Sequence, residues 1–214
     1  MKQLALALGA MLSLVPVTGM CHPHVFISAR FEAVATADGT LAEMRNDWLF
    51  DEVFSSSVLL DFDKNEDFKL DAKELKAIGS TVRQSMKKYD YYTSLLHDGR
   101  KIPMGEPDVI HVTYTDGILG MTFALKPKKP IPLKGKLMFG IYDPTLYTAI
   151  DFVRDGDMKI SGTSFAHCSG KVVRPNPDQI IAQNQATLTS MFFNDPTGTN
   201  FSQLTATRLE VTCP

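Results

Sequence analysis

The sequence predicts an α+β protein: a β-rich, sandwich-like domain with an inserted EF-hand-like helix-loop-helix and a helix plus a strand at its C-terminal end. Three observations lead to this fold class. Apolar and polar residues alternate near the start, apolar residues then recur at helical spacing, and β-rich runs separated by Asp-Gly pairs follow. Strands that flank a helical pair are typical of α+β folds.

The first 21 residues resemble a cleavable secretory signal. Lys2 precedes an apolar run at residues 4–15, which is shorter than the about 20 residues needed to cross a bilayer. We expect cleavage after Cys21, which makes His22 the new N-terminus; cleavage after Gly19 is the competing site, and a buried N-terminal helix is the alternative. The remaining 193 residues are expected to form a single, soluble domain outside the cytoplasm.

The mature chain should begin with a β-hairpin. Within residues 24–35 one face carries only apolar side chains, at Val25, Ile27, Ala29, Phe31 and Ala33. This alternation predicts a half-buried strand. The Asp38-Gly39 pair predicts a hairpin turn, after which a second strand runs from Leu41 toward Trp48.

Helical spacing follows, and it predicts an inserted helical pair at about residues 50–88. The apolar positions are Phe50, Phe54 and Val58 in the first stretch, and Leu75, Ile78 and Val82 in the second. Repeats of three and four residues place side chains on one face of a helix.

The chain after Tyr91 is predicted to be mainly β-structure. Three Asp-Gly pairs, at residues 98–99, 116–117 and 155–156, mark turns between four candidate strands at residues 109–115, 118–125, 136–142 and 147–153. The proline- and lysine-rich residues 126–134 are predicted to form an exposed loop. A last helix is expected from about Pro177 to a point before Asn194, followed by a closing strand at residues 202–213.

Charge and cysteine content restrict the function. Without Lys2 the chain has 21 basic and 24 acidic residues, which does not favour nucleic acid or an anionic membrane as a partner. Loss of Cys21 leaves Cys168 and Cys213, and in an oxidising compartment we expect them to form a disulfide. The alternatives are two free thiols, or a metal ligand at Cys168 beside His167.

An acidic segment between the predicted helices matches most of a twelve-residue EF-hand loop. The matching positions 1, 3, 5, 7, 9 and 12 are occupied by Asp63, Asn65, Asp67, Lys69 (through its carbonyl), Asp71 and Glu74. Such an oxygen shell suits Ca²⁺. Phe68 stands where the turn requires glycine, so the alternative is a solvated helix connection without an ion.

The expected N-terminus, His22-Pro23-His24, is a second candidate metal site. The amine and ring of His22 with the ring of His24 would supply nitrogen ligands for zinc, nickel or cobalt. Pro23 lacks the backbone N–H that a square-planar amino-terminal copper or nickel site must lose. Any of His97, His111 and His167 could complete the ligand set.

Enzyme motifs are absent from the sequence: there is no Gly-x-Ser-x-Gly, His-Glu-x-x-His, Cys-x-x-Cys or glycine-rich phosphate loop. We therefore expect a protein without catalytic activity. Alternatives to transition-metal binding are a calcium-stabilised β-sandwich that serves as a scaffold, or a copper oxidoreductase with an N-terminal histidine brace.

Several segments, in order, carry a family resemblance: residues 22–27, Trp48 with Phe50-Asp51-Glu52, the acidic loop, residues 142–145 and a late cysteine. The chain resembles the bacterial family labelled periplasmic component of an ABC-type transport system. Its members are associated with NicO-type nickel, cobalt or zinc transporters. The resemblance implies a periplasmic accessory protein of metal transport that binds metal or docks on the membrane transporter.

Overall fold

The computed structural model describes residues 23–183 and 199–214. Eleven strands are present in this part of the chain: β1 (Val25–Ala35), β2 (Leu41–Phe50), β3 (Thr93–His97), β4 (Arg100–Lys101), β5 (His111–Thr115), β6 (Ile118–Leu125), β7 (Gly135–Ile141), β8 (Thr148–Asp151), β9 (Met158–Ser161), β10 (Ser169–Val173) and β11 (Arg208–Cys213). Four α-helices accompany them: α1 (Glu52–Phe62), α2 (Ala72–Met86), α3 (Pro177–Gln183) and α4 (Thr199–Thr205).

Two sheets enclose the core. The first has the order β5-β6-β2-β1-β8. β9 also pairs with β1, along residues that follow those paired with β8. The second has the order β10-β11-β7-β3-β4, with antiparallel pairing throughout. The inward residues of β1 are the five that the alternation predicts, and all are buried. Contact between the rings of Phe31 in β1 and Phe139 in β7, 5.6 Å between centroids, joins the two sheets.

The helical pair is held to the first sheet by a buried hydroxyl and a close backbone approach. Ser55 in α1 is fully buried; its Oγ donates to the carbonyl oxygen of Asp51 and accepts from the N–H of Leu119, at the start of β6. In α2, a Cβ placed on Gly79 would lie 2.4 Å from the carbonyl oxygen of Ile110. The backbone of Ile110, just before β5, therefore lies so close to α2 that only glycine fits at position 79.

Most predicted elements are confirmed, with two corrections. The Asp155-Gly156 pair does not form a hairpin but a short 3-10 helix, Asp155–Asp157. The chain does not reverse here, because β8 and β9 both run parallel to β1, β8 beside its first residues and β9 farther along the same strand. The predicted closing strand begins too early: residues 199–205 are helical, and β11 starts at Arg208. The helix predicted from Pro177 does begin there, but its predicted end lies outside the described residues.

The predicted disulfide is confirmed. Cys168 and Cys213 are joined, with their Cα atoms 4.3 Å apart. The disulfide lies where β10 begins and the antiparallel β11 ends. The alternative of a metal ligand at Cys168 is therefore wrong for this state of the chain. None of the helices within residues 23–183 and 199–214 has the length and apolar composition that a bilayer crossing requires.

Candidate metal sites at the N-terminus and in the acidic loop

Three separate sequence segments meet at one end of the sandwich, where the described chain begins. The N–H of His24 donates to the carbonyl oxygen of Tyr147 at 2.8 Å, and the two rings lie 4.9 Å apart between centroids. Two residues later, the N–H of Phe26 donates to the carboxylate of Asp51 at 2.8 Å. The start of β1, the residue before α1 and the turn at residues 142–147 thus form one exposed edge around His24.

Asp51 has a structural role in this region. Its second carboxylate oxygen accepts from the N–H of Phe54 and caps α1. Partial burial acts to raise the pKa of Asp51, but the backbone hydrogen bonds from Phe54, Phe26 and Val53 together outweigh it. The pKa of this carboxyl group therefore lies below its ordinary value. The ionised carboxylate of Asp51 therefore connects β1 to α1, because each of its two oxygens accepts a hydrogen bond from one of these elements.

Asp143 organises the neighbouring turn. Its buried carboxylate accepts from the N–H and hydroxyl of Thr145 and from the N–H of Thr148, at 2.7 to 2.9 Å. It also accepts from the hydroxyl of Tyr92, whose pKa is raised mainly by burial and further by the charge of Asp143. The turn that carries Tyr147 to His24 is consequently fixed from inside the protein.

The histidines are distributed over the fold. His22 lies outside the described residues, and His24 is exposed directly before β1. Nε2 of His97, at the end of β3, lies 2.7 Å from the carbonyl oxygen of Lys134. His111 is exposed in β5, and His167 is exposed before β10. Within residues 23–183 and 199–214, no group of three or more His, Cys, Asp or Glu side chains is arranged to hold a metal ion.

The acidic loop connects α1 to α2, and its backbone follows the turn that an EF-hand position 6 demands. Phe68 has φ +59° and is 72% exposed. The carboxylate of Asp63 accepts from the N–H of Phe68 at 2.7 Å and from the N–H of Asp67 at 3.2 Å. Asp67 in turn accepts from the N–H of Lys69 at 2.9 Å. Each of these carboxylates is therefore held within the loop by backbone amides.

Glu74 joins the two ends of the loop. It is buried to 8% exposure; one oxygen accepts from the N–H of Lys64 at 2.7 Å and the other from the N–H of Asp71 at 2.9 Å. Asp71 caps α2 by accepting from the N–H groups of Lys73 and Glu74. Asp71 and Glu74 thus form a reciprocal capping box.

Comparison with known proteins places the chain in a family. A family described as "Protein of unknown function (DUF1007)" matches residues 7–213. The chain belongs to the DUF1007 family. It is also 26% identical, over 106 residues, to the "Uncharacterized 15.5 kDa protein in trpE 3'region" of Spirochaeta aurantia. That match covers 50% of this chain and 76% of the relative.

Two structural roles in this DUF1007 protein were missed by the interpretation of the sequence. Asp51 directly precedes an apolar helical run, which is a recognised helix-start signal. The spacing of Asp71 and Glu74 is equally a capping-box signal, so these two residues had an interpretation besides calcium ligation. The contact between His24 and Tyr147 has no local signal, because 123 positions separate the two residues and only the parallel pairing of β1 with β8 unites them.

Proposed function

We propose that this DUF1007 protein is an exported, non-enzymatic metal-binding protein that serves a transition-metal transporter, with zinc, nickel or cobalt held at His22 and His24. The observation that supports it most is the place of His24. Its exposed ring lies at the edge of the sandwich, two residues after the expected N-terminus at His22, and packs against Tyr147. The partner suggested by the resemblance is a NicO-type membrane transporter in the bacterial periplasm.

The chemistry of an N-terminal site suits transfer of a metal rather than its permanent storage. The amine and ring of His22 with the ring of His24 provide three nitrogen ligands, one fewer than a closed tetrahedral site requires. A site with an open position can pass its metal to ligands on a partner. Pro23 excludes a deprotonated backbone nitrogen as a ligand and so disfavours the square-planar copper or nickel geometry.

Calorimetric titration of the protein that begins at His22 tests this proposal. We expect zinc or nickel to bind at one ion per chain, and His22→Ala with His24→Ala to abolish binding. The control, His111→Ala with His167→Ala, removes two exposed histidines elsewhere and should leave binding unchanged. Because the imidazole ligands must be neutral, affinity should fall on acidification. Unaltered zinc affinity in the N-terminal double variant would contradict the proposed site.

A partnership with a transporter needs a separate test in cells. Deletion of the gene should change the accumulation of zinc, nickel or cobalt, and the wild-type gene but not the N-terminal double variant should restore it. Restoration by the double variant would show that metal binding at these histidines is not the function served.

Calcium binding in the acidic loop is the second candidate function, a calcium-stabilised scaffold. One observation favours it. The carboxylate of Asp63 accepts hydrogen bonds from the backbone N–H groups of loop positions 5 and 6, and Phe68 adopts the left-handed conformation of position 6. This is the backbone course that an EF-hand loop needs around Ca²⁺.

The matched pair Glu74→Gln and Glu66→Gln tests calcium binding. Both remove one negative charge from the same loop, but only Glu74 occupies a ligand position. We expect calcium to raise the melting temperature of the wild type and of Glu66→Gln, since a ligand bound only by the folded state stabilises it. Glu74→Gln should lose this increase, whatever its own melting temperature without calcium. An equal increase in all three proteins, or none in the wild type, would exclude the loop as the site.

A further inference from the structure

A cavity lies beside the turn at residues 142–147. Its volume is about 360 Å³, and we name it the tyrosine pocket after the rings of Tyr89, Tyr92 and Tyr142 that line it, together with Lys88, Lys101 and Pro144. Cavities of this size and aromatic lining are typical of small-molecule sites.

The walls of the tyrosine pocket are held in place by the core. The ring of Tyr92 stacks on the buried indole of Trp48, with 6.2 Å between ring centroids and 22° between planes. The hydroxyl of Tyr92 is hydrogen-bonded to Asp143 and Thr148. The ring centroids of Tyr89 and Tyr92 lie 6.0 Å apart. A ligand in this pocket would meet aromatic surfaces that need no reorganisation, which lowers the cost of binding.

The backbone that carries these rings is strained. Asp90, Tyr91 and Tyr92 are consecutive non-glycine residues with φ values of +51°, +54° and +56°. A left-handed conformation is unfavourable for a residue with a side chain, because its Cβ comes too close to the following carbonyl oxygen. Strained backbone of this kind concentrates at ligand sites, where surrounding packing maintains it. Here the buried Tyr91 and the stack of Tyr92 on Trp48 maintain it.

The charges around the pocket favour an anion. Lys101 is paired with Asp90 at 2.7 Å, so these two charges offset each other. Nζ of Lys88 lies 4.7 Å from the centroid of the Tyr89 ring, and within the described part of the chain it forms no ion pair with a carboxylate. The carboxylate of Asp143 is buried and does not line the pocket, although its charge acts on the hydroxyl of Tyr92. The residues that line the pocket thus carry two positive charges and one negative charge, and this excess disfavours the cations that aromatic cages otherwise bind.

We propose that the tyrosine pocket binds a planar aromatic ring that carries a carboxylate or a similar anionic group. The flat tyrosine and proline surfaces match the face of such a ring, and stacked aromatic pairs gain stability beyond the area they bury. The ammonium of Lys88 matches the anionic group. This site is independent of metal at His22 and His24, because none of its lining residues belongs to that ligand set.

The test is an NMR titration of the mature, ¹⁵N-labelled protein with 2-naphthoate. Trp48 is the single tryptophan in the sequence, so its indole N–H gives one unambiguous signal next to Tyr92. We expect 2-naphthoate to shift this signal in a saturable way, and the cation 2-naphthylmethylammonium to bind at least about fivefold more weakly. No shift with 2-naphthoate up to about 5 mM, or equal binding of the two compounds, would overturn the proposal.

Matched variants then assign the roles of the lining residues. Lys88→Gln should weaken 2-naphthoate about fivefold and leave the neutral 2-naphthamide unchanged, since it removes one exposed charge. Lys129→Gln makes the same change in an exposed loop and should have no effect. Tyr89→Ala should weaken all three compounds, whereas Tyr114→Ala, which removes an equally half-buried tyrosine in β5, should not. If Lys88→Gln binds 2-naphthoate as the wild type does, the charge assignment is wrong.

Discussion

At the scale of single residues, the acidic loop stores strain that one substitution can relieve. Phe68 adopts φ +59° while its ring is 72% exposed, so little packing is lost when the ring is removed. Phe68→Gly should raise the free energy of unfolding by about 0.5–1 kcal/mol, the left-handed cost less the added chain entropy of glycine. Urea unfolding measures this change.

The neighbouring residues supply the controls for Phe68. Glu66 also has φ +59° and is exposed, so Glu66→Gly should stabilise for the same reason. Lys69 has no positive φ, and Lys69→Gly should destabilise. Destabilisation by both Phe68→Gly and Glu66→Gly would contradict the left-handed conformation of this loop.

Asp51 leads to a prediction about pH. Its pKa in the folded protein is lowered, so the ionised form stabilises the fold above the ordinary pKa of an aspartate, about 3.9. This contribution should be lost as the pH falls below that value toward the lowered folded pKa. Asp51→Asn should therefore be destabilised near neutral pH and lose less stability between about pH 5 and pH 2 than the wild type. Urea unfolding at each pH checks it; parallel pH profiles would show that the charge of Asp51 does not matter.

The residue scale also shows where prediction from the sequence ends. The sequence identified Phe68 as the residue that would have to adopt a left-handed turn, because the loop positions follow a fixed spacing. It did not indicate the run of left-handed residues at Asp90, Tyr91 and Tyr92, since none of them is a glycine and none lies in a recognised turn pattern. Their conformation is imposed by packing, which a local pattern does not contain.

At the scale of elements, the contact of α2 with the first sheet depends on one glycine. A Cβ at Gly79 would lie 2.4 Å from the carbonyl oxygen of Ile110, and backbone on both sides cannot move away easily. Gly79→Ala should gain about 1 kcal/mol of helix propensity but lose more through forced displacement, for a net destabilisation of about 1–2 kcal/mol. Thermal or urea unfolding measures the difference.

Ser80 is the control for Gly79, because it follows directly in the same helix and is exposed. Ser80→Ala should be neutral or slightly stabilising, as helix propensity alone predicts. If Gly79→Ala is as stable as Ser80→Ala, α2 does not approach Ile110 as closely as the structure has it.

Elements with local signals were predicted well, and those that depend on distant partners were not. The hairpin of β1 with β2 and the strand at residues 118–125 follow from alternation and Asp-Gly turns. In contrast, β9 and β10 are short and were not predicted, because β9 exists through its parallel pairing with β1 and β10 through its pairing with β11. The second half of α4, from Ser202, was wrongly predicted as part of the closing strand, because the residues of this short helix show no strong helical repeat of apolar side chains.

At the scale of the whole molecule, the disulfide restrains the C-terminal part of the chain. Cys168 and Cys213 are 45 positions apart in sequence, and the link closes a loop that leaves and re-enters the second sheet through β10 and β11. Cross-linking reduces the conformational freedom of the unfolded chain, and the chain-entropy estimate for a loop of this length is about 4 kcal/mol.

The double variant Cys168→Ala with Cys213→Ala should lose about 3–4 kcal/mol of unfolding free energy. Urea unfolding in oxidising buffer measures it, and the same measurement with a reducing agent is the control, because the reductant should destabilise the wild type and leave the variant unchanged. A wild type that resists denaturation equally in both buffers, with two alkylatable thiols after unfolding in oxidising conditions, would mean that the bond does not form.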